Sequence, residues 1–278
     1  MRTPLILMFL AAIFPAGVVV AADPPKGGVD SLKPAAAEIY RKAQKGKFAE
    51  DAAKLQPEIF PTSDDRSFWV KWQSPKEPKR WIVSLHGSLG FATDDLAIWY
   101  PHLKDRDVGL LCLQWWLGTG EGLPSYFTPG QIYKEADLAL QKYKVAPGTV
   151  MLHGFSRGAA NSYAVAALDT GRGKKYFSLA VASSGGVGLD YPPNRAIAQG
   201  VFGNRPLNGT QWVTVAGGHD PEADRDGVAG MRKASTWLHE QGANVALVIE
   251  DPAEGHGALM RNPANAKQVL DLFFTEKK

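Results

Sequence analysis

Hydrophobic residues along the chain fall into short continuous runs separated by longer amphipathic stretches. The runs typical of strands lie at 67–73, 80–85, 109–113, 149–152, 177–182, 212–216 and 245–249. Most of these runs are continuous rather than alternating, which is expected of strands that are covered on both faces.

The stretches between these runs carry helical patterns. They lie at 94–105, 132–144, 159–168, 228–241 and 264–274. Ahead of the second stretch, Thr128, Pro129 and Gln131 combine an N-cap, a first-turn proline and a capping-box glutamine. Strands that alternate with helices in this order predict an α/β fold, with a mostly parallel central sheet and helices on both faces.

The N-terminal part of the chain differs in composition from the rest. Residues 1–22 combine Arg2, an apolar stretch and a small-residue exit ending at Ala22, which is typical of a secretory signal peptide. An uncleaved membrane anchor is the alternative, although Pro15 and Gly17 interrupt the apolar stretch. We therefore expect a secreted or periplasmic protein, with no stable membrane insertion once the signal is removed.

After the signal, the chain divides by composition into two parts. Residues 23–65 are rich in Pro, Gly, Lys and Ala and predict an N-terminal arm with a short helix at 35–43. Residues 66–278 carry the alternating pattern and are expected to form one domain.

Composition and charge are typical of a globular protein and give no sign of a nucleic-acid partner. With 278 residues, 45% of them hydrophobic, the chain can bury a large core. A formal charge of +3 without a concentrated basic stripe gives no support for nucleic-acid binding. Cys112 is the sole cysteine, so no internal disulfide can form, and its apolar surroundings predict a buried core position.

The pentapeptide Gly154-Phe155-Ser156-Arg157-Gly158 is the most specific chemical signal. It follows the apolar run at 149–152 and precedes a run of small residues at 159–164. A strand, a G-x-S-x-G and a helix in that order form a sharp turn from which the serine hydroxyl projects free of the backbone. A serine held in this way is suited to attack on a carbonyl carbon.

From about residue 67 to its end, the chain resembles the α/β-hydrolase superfamily, in particular secreted serine esterases of the dienelactone hydrolase and carboxylesterase type. The elbow at 154–158 and the order of the other motifs carry the resemblance. It implies that an acid follows a late strand and that a histidine follows the last strand. Ala159, where bacterial carboxylesterases often have a second glycine, departs from the family pattern.

The resemblance implies a catalytic triad of Ser156, Asp220 and His256. His256 lies between glycines just beyond the run at 245–249, whereas His239 lies within a helical pattern and is expected on the surface. His256 would act as the general base and Asp220 would hold its neutral tautomer.

Three other aspartates compete with Asp220 for the role of triad acid. Asp224 and Asp226 lie in the same loop, and Asp190 follows the preceding strand. Each of these aspartates could instead have a purely structural role as a helix N-cap. The pair Asp220-Pro221 also fits the start of a helix. His219, beside the acid, is expected to support the site or to lie at the surface.

The same resemblance implies an oxyanion hole made of two backbone N–H groups. One is that of Arg157, at the positive end of its helix, and the other is that of Ser88, with Leu89 as the second choice. The turn at 86–90 could instead be a tight glycine turn without a catalytic role. The Arg157 side chain has two interpretations, a structural salt bridge or a contact with an acidic substrate group.

An aromatic and glycine-rich stretch at 114–127 follows a strand whose carboxyl end should face the site. Trp115, Trp116 and Tyr126 would bind substrate there, or the two tryptophans would instead fill the core. The stretch at 185–208 is the usual place for a lid, and its shortness predicts a rather open site.

The sequence thus favours hydrolysis of small carboxylic esters, or of esters linked to polysaccharide, without a cofactor or a metal. One alternative is a peptidase resembling the prolyl oligopeptidase group, whose members usually carry a large gating domain that is missing from this sequence. Another is a non-catalytic glycan-binding protein that uses the aromatic stretch.

Overall fold

The computed structural model describes residues 28–275, which form an eight-stranded sheet with strand order β1-β2-β4-β3-β5-β6-β7-β8. The strands are β1 (Glu58–Pro61), β2 (Phe68–Gln73), β3 (Arg80–Leu85), β4 (Val108–Leu113), β5 (Val150–Phe155), β6 (Phe177–Ser183), β7 (Gln211–Gly217) and β8 (Asn244–Asp251). The first two strands are joined antiparallel, and β2 also lies antiparallel to β4. From β3 onward the strands are parallel, so that their carboxyl ends meet at one edge of the sheet.

Helices cover both faces of this sheet. They are α1 (Pro34–Ala43), α2 (Ala49–Lys54), α3 (Ala92–Leu103), α4 (Pro129–Lys142), α5 (Arg157–Gly171), α6 (Pro192–Ala198), α7 (Val228–Glu240), α8 (Ala258–Arg261) and α9 (Pro263–Phe274). Helices α4, α5 and α7 contribute to one buried hydrophobic cluster, whereas α1, α3, α8 and α9 contribute to the other. The predicted α/β class is therefore confirmed, with a mostly parallel sheet between two helical layers.

The capping box predicted ahead of α4 is present. The Thr128 side chain accepts the backbone N–H of Gln131, and the Gln131 side chain accepts the N–H of Thr128 in return. Two of the donors that every helix leaves unpaired at its start are thereby satisfied, which fixes where α4 begins.

The segment assigned to an N-terminal arm contributes to the same core. Strand β1 pairs with β2, and Ala36 and Ile39 of α1 are buried in the cluster that also holds α3. The expected boundary at residue 65 consequently lies between two strands of one sheet. The predicted signal peptide, residues 1–22, lies outside the described residues. Within residues 28–275, no helix combines the length and the apolar character that crossing a membrane requires.

Candidate active site

Ser156 sits on the turn between β5 and α5, in a strained backbone conformation. Its φ is 54° and its ψ is −120°, a region that residues other than glycine rarely adopt. The turn is held from the neighbouring strand, since the Ser156 N–H donates to the carbonyl of Ser183 at 2.8 Å. The side chain is half-buried at the carboxyl edge of the sheet, as a nucleophile elbow requires.

Gly158 allows α5 to start directly against the end of β3. A Cβ atom at this position would lie 2.1 Å from the carbonyl oxygen of Leu85. No side chain can occupy that space, so the second glycine of the pentapeptide is a packing requirement as well as a turn signal.

Asp220 and His256 come together at the ends of β7 and β8. His256 Nδ1 lies 2.8 Å from Asp220 Oδ2, and the Asp220 side chain is fully buried whereas that of His256 is 31% exposed. A carboxylate only accepts hydrogen bonds, so Nδ1 carries the proton and Nε2 keeps the lone pair that a general base needs.

The two loops that carry these side chains are tied to each other. Gly218 N–H donates to Asp251 O at 2.7 Å, and His219 N–H donates to Glu254 O at 2.9 Å. A Cβ atom on Gly217 would lie 2.3 Å from the carbonyl oxygen of Gly255, so the loops can approach this closely only with glycine here. The distance between acid and imidazole is thus set by backbone contacts.

Among the described residues, none of the competing aspartates is hydrogen-bonded to His256, although Asp190 and Asp226 line the cavity that also holds Ser156. Asp226 accepts Arg225 Nε at 3.0 Å and Nη2 at 2.8 Å. Asp224 and Asp190 are exposed. Asp220 also accepts the backbone N–H of Glu222 at 3.0 Å. The structural alternative for Asp220 was a helix N-cap, but this contact instead stabilises a turn, and it coexists with the contact to His256.

Neither of the other histidines considered for the site takes part in it. His239 is exposed on α7, as predicted, and His219 is exposed in the loop after β7.

His256 lies beside the elbow. Its ring centroid is 4.9 Å from that of Phe155, the residue immediately before Ser156. Among the described residues, no hydrogen bond joins Ser156 Oγ to His256. Serine–histidine contacts are often long in unliganded sites and tighten when a substrate binds, and the elbow and the ring are already neighbours.

Ser88, Ser156 and Arg157 line one cavity of about 280 Å³, which we call the serine cleft. Arg157 is the first residue of α5, so its N–H has no acceptor within the helix. The N–H of Leu89 donates to the Tyr126 hydroxyl at 3.1 Å. Ser88 N–H forms no such backbone bond within residues 28–275. The first choice for the second oxyanion donor therefore has its N–H available, and the second choice does not.

Many solved structures match the structure of this chain, and those named below have low sequence identity to it. An esterase from Pyrobaculum calidifontis is 15% identical over 84% of this chain and 92% of its own, with a TM-score of 0.58. A carboxylesterase from Mesorhizobium loti is 18% identical over 77% of this chain and 98% of its own, with a TM-score of 0.57.

The chain has the α/β-hydrolase fold.

The same fold is shared with an acylaminoacyl peptidase from Pyrococcus horikoshii, which is 12% identical, with a TM-score of 0.56. The match covers 84% of this chain but 45% of the peptidase. No protein-family model matches the chain, and no curated protein matches it in sequence.

In this α/β-hydrolase fold, Trp115 and Tyr126 of the aromatic stretch support the turn at 86–90, which favours the core-filling alternative over substrate binding for these two residues. Trp115 is fully buried, and its Nε1–H donates to the carbonyl of His86 at 3.1 Å. Tyr126 is 5% exposed, and its hydroxyl accepts the Leu89 N–H. Their rings contact each other at 4.8 Å and face the core, so neither lines the serine cleft.

Trp116 is only half-buried and also lies away from the cleft. Its Nε1–H donates to the carbonyl of Gly120 at 2.9 Å, and its ring lies 5.7 Å from that of Phe91. The direction in which each aromatic side chain leaves the stretch depends on the path of the chain after β4, which composition alone does not reveal.

Arg157 holds the aromatic stretch in place from above. Its Nη1 donates to the carbonyl of Glu121 at 2.7 Å, and its guanidinium lies 4.4 Å from the centroid of the Tyr126 ring. These contacts favour the structural interpretation of the Arg157 side chain, with a carbonyl and an aromatic face as partners rather than a carboxylate.

His86 is a neutral, buried support of the same turn. Burial lowers its pKa to about 4. Its Nδ1 lies 2.8 Å from the carbonyl of Gly87, so the proton of the neutral ring is on Nδ1. Its ring stacks on that of Trp115 at 5.5 Å, which leaves the backbone of the turn facing Ser156.

Tyr191 lines the serine cleft and was not assigned a substrate-binding role from the sequence. It lies just before α6, inside the stretch at 185–208 that was expected to act as a lid. Its hydroxyl accepts a hydrogen bond from Asn161 Nδ2 at 2.6 Å, which joins the stretch to α5. Gly186, Asp190 and Arg225 also line the cleft. Within residues 28–275, no group of three or more His, Cys, Asp and Glu side chains is placed to hold a metal ion.

Proposed function

We propose that this protein is a serine hydrolase of carboxylic esters. Ser156 is the nucleophile, His256 the general base and Asp220 the acid that orients it. The observation that carries the proposal is the 2.8 Å contact between His256 Nδ1 and the buried Asp220 carboxylate, next to a serine on a strained elbow. The combination of φ 54° and ψ −120° at the turn between β5 and α5 projects the Ser156 side chain from the backbone, as a nucleophile elbow requires.

The reaction follows from these positions. Ser156 Oγ attacks the ester carbonyl carbon while its proton moves to His256 Nε2, and the carbonyl oxygen becomes an oxyanion held by the N–H groups of Ser88 and Arg157. The bond to the alcohol then breaks, and the alcohol leaves with the proton from His256. Water, deprotonated by His256, releases the acid from the acyl-enzyme.

The environment of the serine cleft supports an open site for small acyl groups. The cavity of about 280 Å³ is lined partly by polar residues, and the stretch at 185–208 contributes to its rim without closing it. Buried Trp115 and Tyr126 leave the aromatic stretch without two of the rings that glycan binding would use, which favours the enzyme over the binding protein.

The first experiment is turnover of aryl acetates together with labelling by a fluorophosphonate probe. Ser156→Ala and His256→Gln should each lose hydrolysis by about 10⁴-fold or more, and Ser156→Ala should lose labelling. His219→Gln is the matched control, since this histidine is exposed in the loop that carries Asp220 and should retain wild-type rates. Full hydrolysis by Ser156→Ala would refute the proposal.

Two further parts of the proposal need their own tests. Short chromogenic peptides should be poor substrates relative to esters, and the reverse order would favour the peptidase alternative.

Export through an N-terminal signal at residues 1–22 is tested by N-terminal sequencing of the protein from the culture medium or periplasm, where the mature chain should begin near Asp23.

A further inference from the structure

A second cavity borders the catalytic histidine rather than the serine. It has a volume of about 700 Å³, and we call it the histidine cavity. His256 and Phe155 line it, whereas Ser156, Ser88 and Arg157 line only the serine cleft. Its size is in the range of pockets that enclose a small organic ligand.

The walls and the floor of the histidine cavity differ in chemistry. Phe48, Ile98 and Met260 join Phe155 to make the walls largely apolar. Three buried polar side chains also line it, Asp95, His153 and Ser183, which are 7%, 2% and 1% exposed, and the lining includes the charged residues Lys47, Asp51 and Arg261. His153 Nε2 and Ser183 Oγ both lack a hydrogen-bond partner, although buried polar atoms nearly always have one.

The contacts of His153 show which kind of partner it needs. Trp99 Nε1–H, which can only donate, lies 3.2 Å from His153 Nδ1, so Nδ1 is the accepting nitrogen. Burial lowers the pKa of His153 to about 3, so the ring is neutral and its proton resides on Nε2. The unpartnered Nε2–H is therefore a donor that calls for an acceptor.

Hydrogen bonds that involve Ser84 and Asp95 reach His153 Nδ1, and Asp95 itself also lines the histidine cavity. Ser84 Oγ lies 2.9 Å from His153 Nδ1 and also contacts Asp95 Oδ2. Ser84 has one proton, so it can donate to Nδ1 only if a protonated Asp95 donates to Ser84 in turn. Burial raises the pKa of Asp95 to about 7, so the protonated carboxyl is populated near neutral pH. The His153 ring is thus held with its proton on Nε2.

The reaction itself distinguishes the two cavities. In the tetrahedral intermediate, the alcohol oxygen must lie within reach of the histidine that protonates it, whereas the oxyanion lies at the N–H groups of Ser88 and Arg157. His256 borders the histidine cavity, and both oxyanion donors border the serine cleft. The alcohol half of the ester therefore belongs on the side of the histidine cavity.

Resting on the proposed ester hydrolysis, we propose that the histidine cavity binds the alcohol half of the substrate, and that this alcohol is a ring carrying a further hydroxyl group. The apolar walls suit the faces of the ring. The distal hydroxyl accepts from His153 Nε2–H and exchanges a hydrogen bond with Ser183 Oγ, which satisfies both unpartnered atoms. The hydroxyl-bearing rings of the sugar residues in acylated glycans belong to this chemical class.

Two acetates that differ by one hydroxyl provide the test. The monoacetate of trans-1,4-cyclohexanediol should have a kcat/KM at least about tenfold above that of cyclohexyl acetate, because the second ester leaves the buried donor unpaired. Ser183→Ala should lower this ratio about fivefold. Ser178→Ala, at the other end of β6, should leave the ratio at its wild-type value. As a measurement without substitutions, free 1,4-cyclohexanediol should inhibit more strongly than cyclohexanol.

The outcomes separate this inference from the proposed function. Equal kcat/KM on the two acetates, with hydrolysis still dependent on Ser156, would overturn the inference and leave the esterase intact. It would mean that the unpartnered atoms bind water only. A second outcome would be a higher kcat/KM on methyl 4-hydroxycyclohexanecarboxylate than on methyl cyclohexanecarboxylate, together with equal kcat/KM on the two acetates. It would place the acyl half of the ester in the histidine cavity and would also overturn the inference. Turnover of both acetates by Ser156→Ala would instead refute the proposed function.

Discussion

Asp220 uses both carboxylate oxygens, one for the imidazole of His256 at 2.8 Å and one for the backbone N–H of Glu222 at 3.0 Å. The second contact fixes the carboxylate plane, so the first is directed by the backbone of the loop after β7. Asp226 lies in the same loop but pairs with Arg225. One loop thus offers two buried aspartates, of which one faces the histidine.

This difference predicts contrasting effects of two isosteric substitutions. Asp220→Asn should lower kcat on aryl acetates by about 10³-fold or more, because an amide can donate to Nδ1 and so favours the wrong imidazole tautomer. Asp226→Asn weakens the pair with Arg225 and, although both residues line the serine cleft, should lower kcat less than about tenfold because neither contacts His256. Steady-state kinetics of the two purified variants check this. A larger loss in Asp226→Asn would move the triad acid to that residue.

The contact of Tyr126 with the turn at 86–90, which carries the proposed oxyanion donor Ser88, predicts a positioning effect. Tyr126→Phe removes the hydroxyl that accepts the Leu89 N–H and loosens the turn that carries Ser88. We expect kcat to fall about three- to tenfold with KM nearly unchanged, because the oxyanion contact strengthens in the transition state.

Tyr176→Phe is the matched control for that substitution, since its hydroxyl bonds Asp137 at 3.0 Å away from the turn. This control should retain the wild-type kcat. A rise in KM at constant kcat in Tyr126→Phe would instead show that Tyr126 contributes to substrate binding, as the sequence suggested.

The sequence predicts most of the elements because continuous apolar runs and helical patterns reflect local burial. The run at 80–85 coincides with β3, and the capping signal at Thr128 marks the start of α4. The sequence patterns do not predict β1 (Glu58–Pro61). Its four residues are too few to show a hydrophobic periodicity, and the strand is formed by its pairing with β2.

The site is predictable only where a local motif carries it. Ser156 belongs to such a motif, and the order of motifs leads to Asp220 and His256. The orientation of Trp115 depends on the loop after β4, and the contacts among Ser84, Asp95 and His153 depend on β3 lying beside β5 with α3 above them. Such juxtapositions of residues far apart along the chain leave no pattern in composition or spacing.

The close approach of α5 to β3 predicts opposite effects of two alanine substitutions in one helix. Gly158→Ala puts a Cβ atom 2.1 Å from a backbone oxygen and should lower the free energy of unfolding by about 2 kcal/mol or more. Gly171→Ala, at the other end of α5, meets nothing within 4 Å and should raise the free energy of unfolding by up to about 1 kcal/mol. Urea denaturation measures both. Equal effects would show that the elbow can relax around a side chain.

The buried Asp95 predicts a pH dependence of stability. Burial raises its pKa from an ordinary value of 3.8 to about 7, so between these values the folded chain binds more protons than the unfolded chain. Its contribution to stability is therefore present below about pH 4 and is lost as the pH rises toward about 7.

Asp95→Asn keeps a neutral donor to Ser84 at every pH. The difference in free energy of unfolding, variant minus wild type, should rise over this window by at most about 1.4 kcal/mol per pH unit and level off above it. Denaturation curves from pH 4 to pH 8 check the slope. The rise should persist in high salt, which screens surface charges but not a buried carboxyl. A difference that does not change with pH would mean that Asp95 ionises as it does in the unfolded chain, and that the hydrogen bonds to Ser84 and His153 run in the other direction.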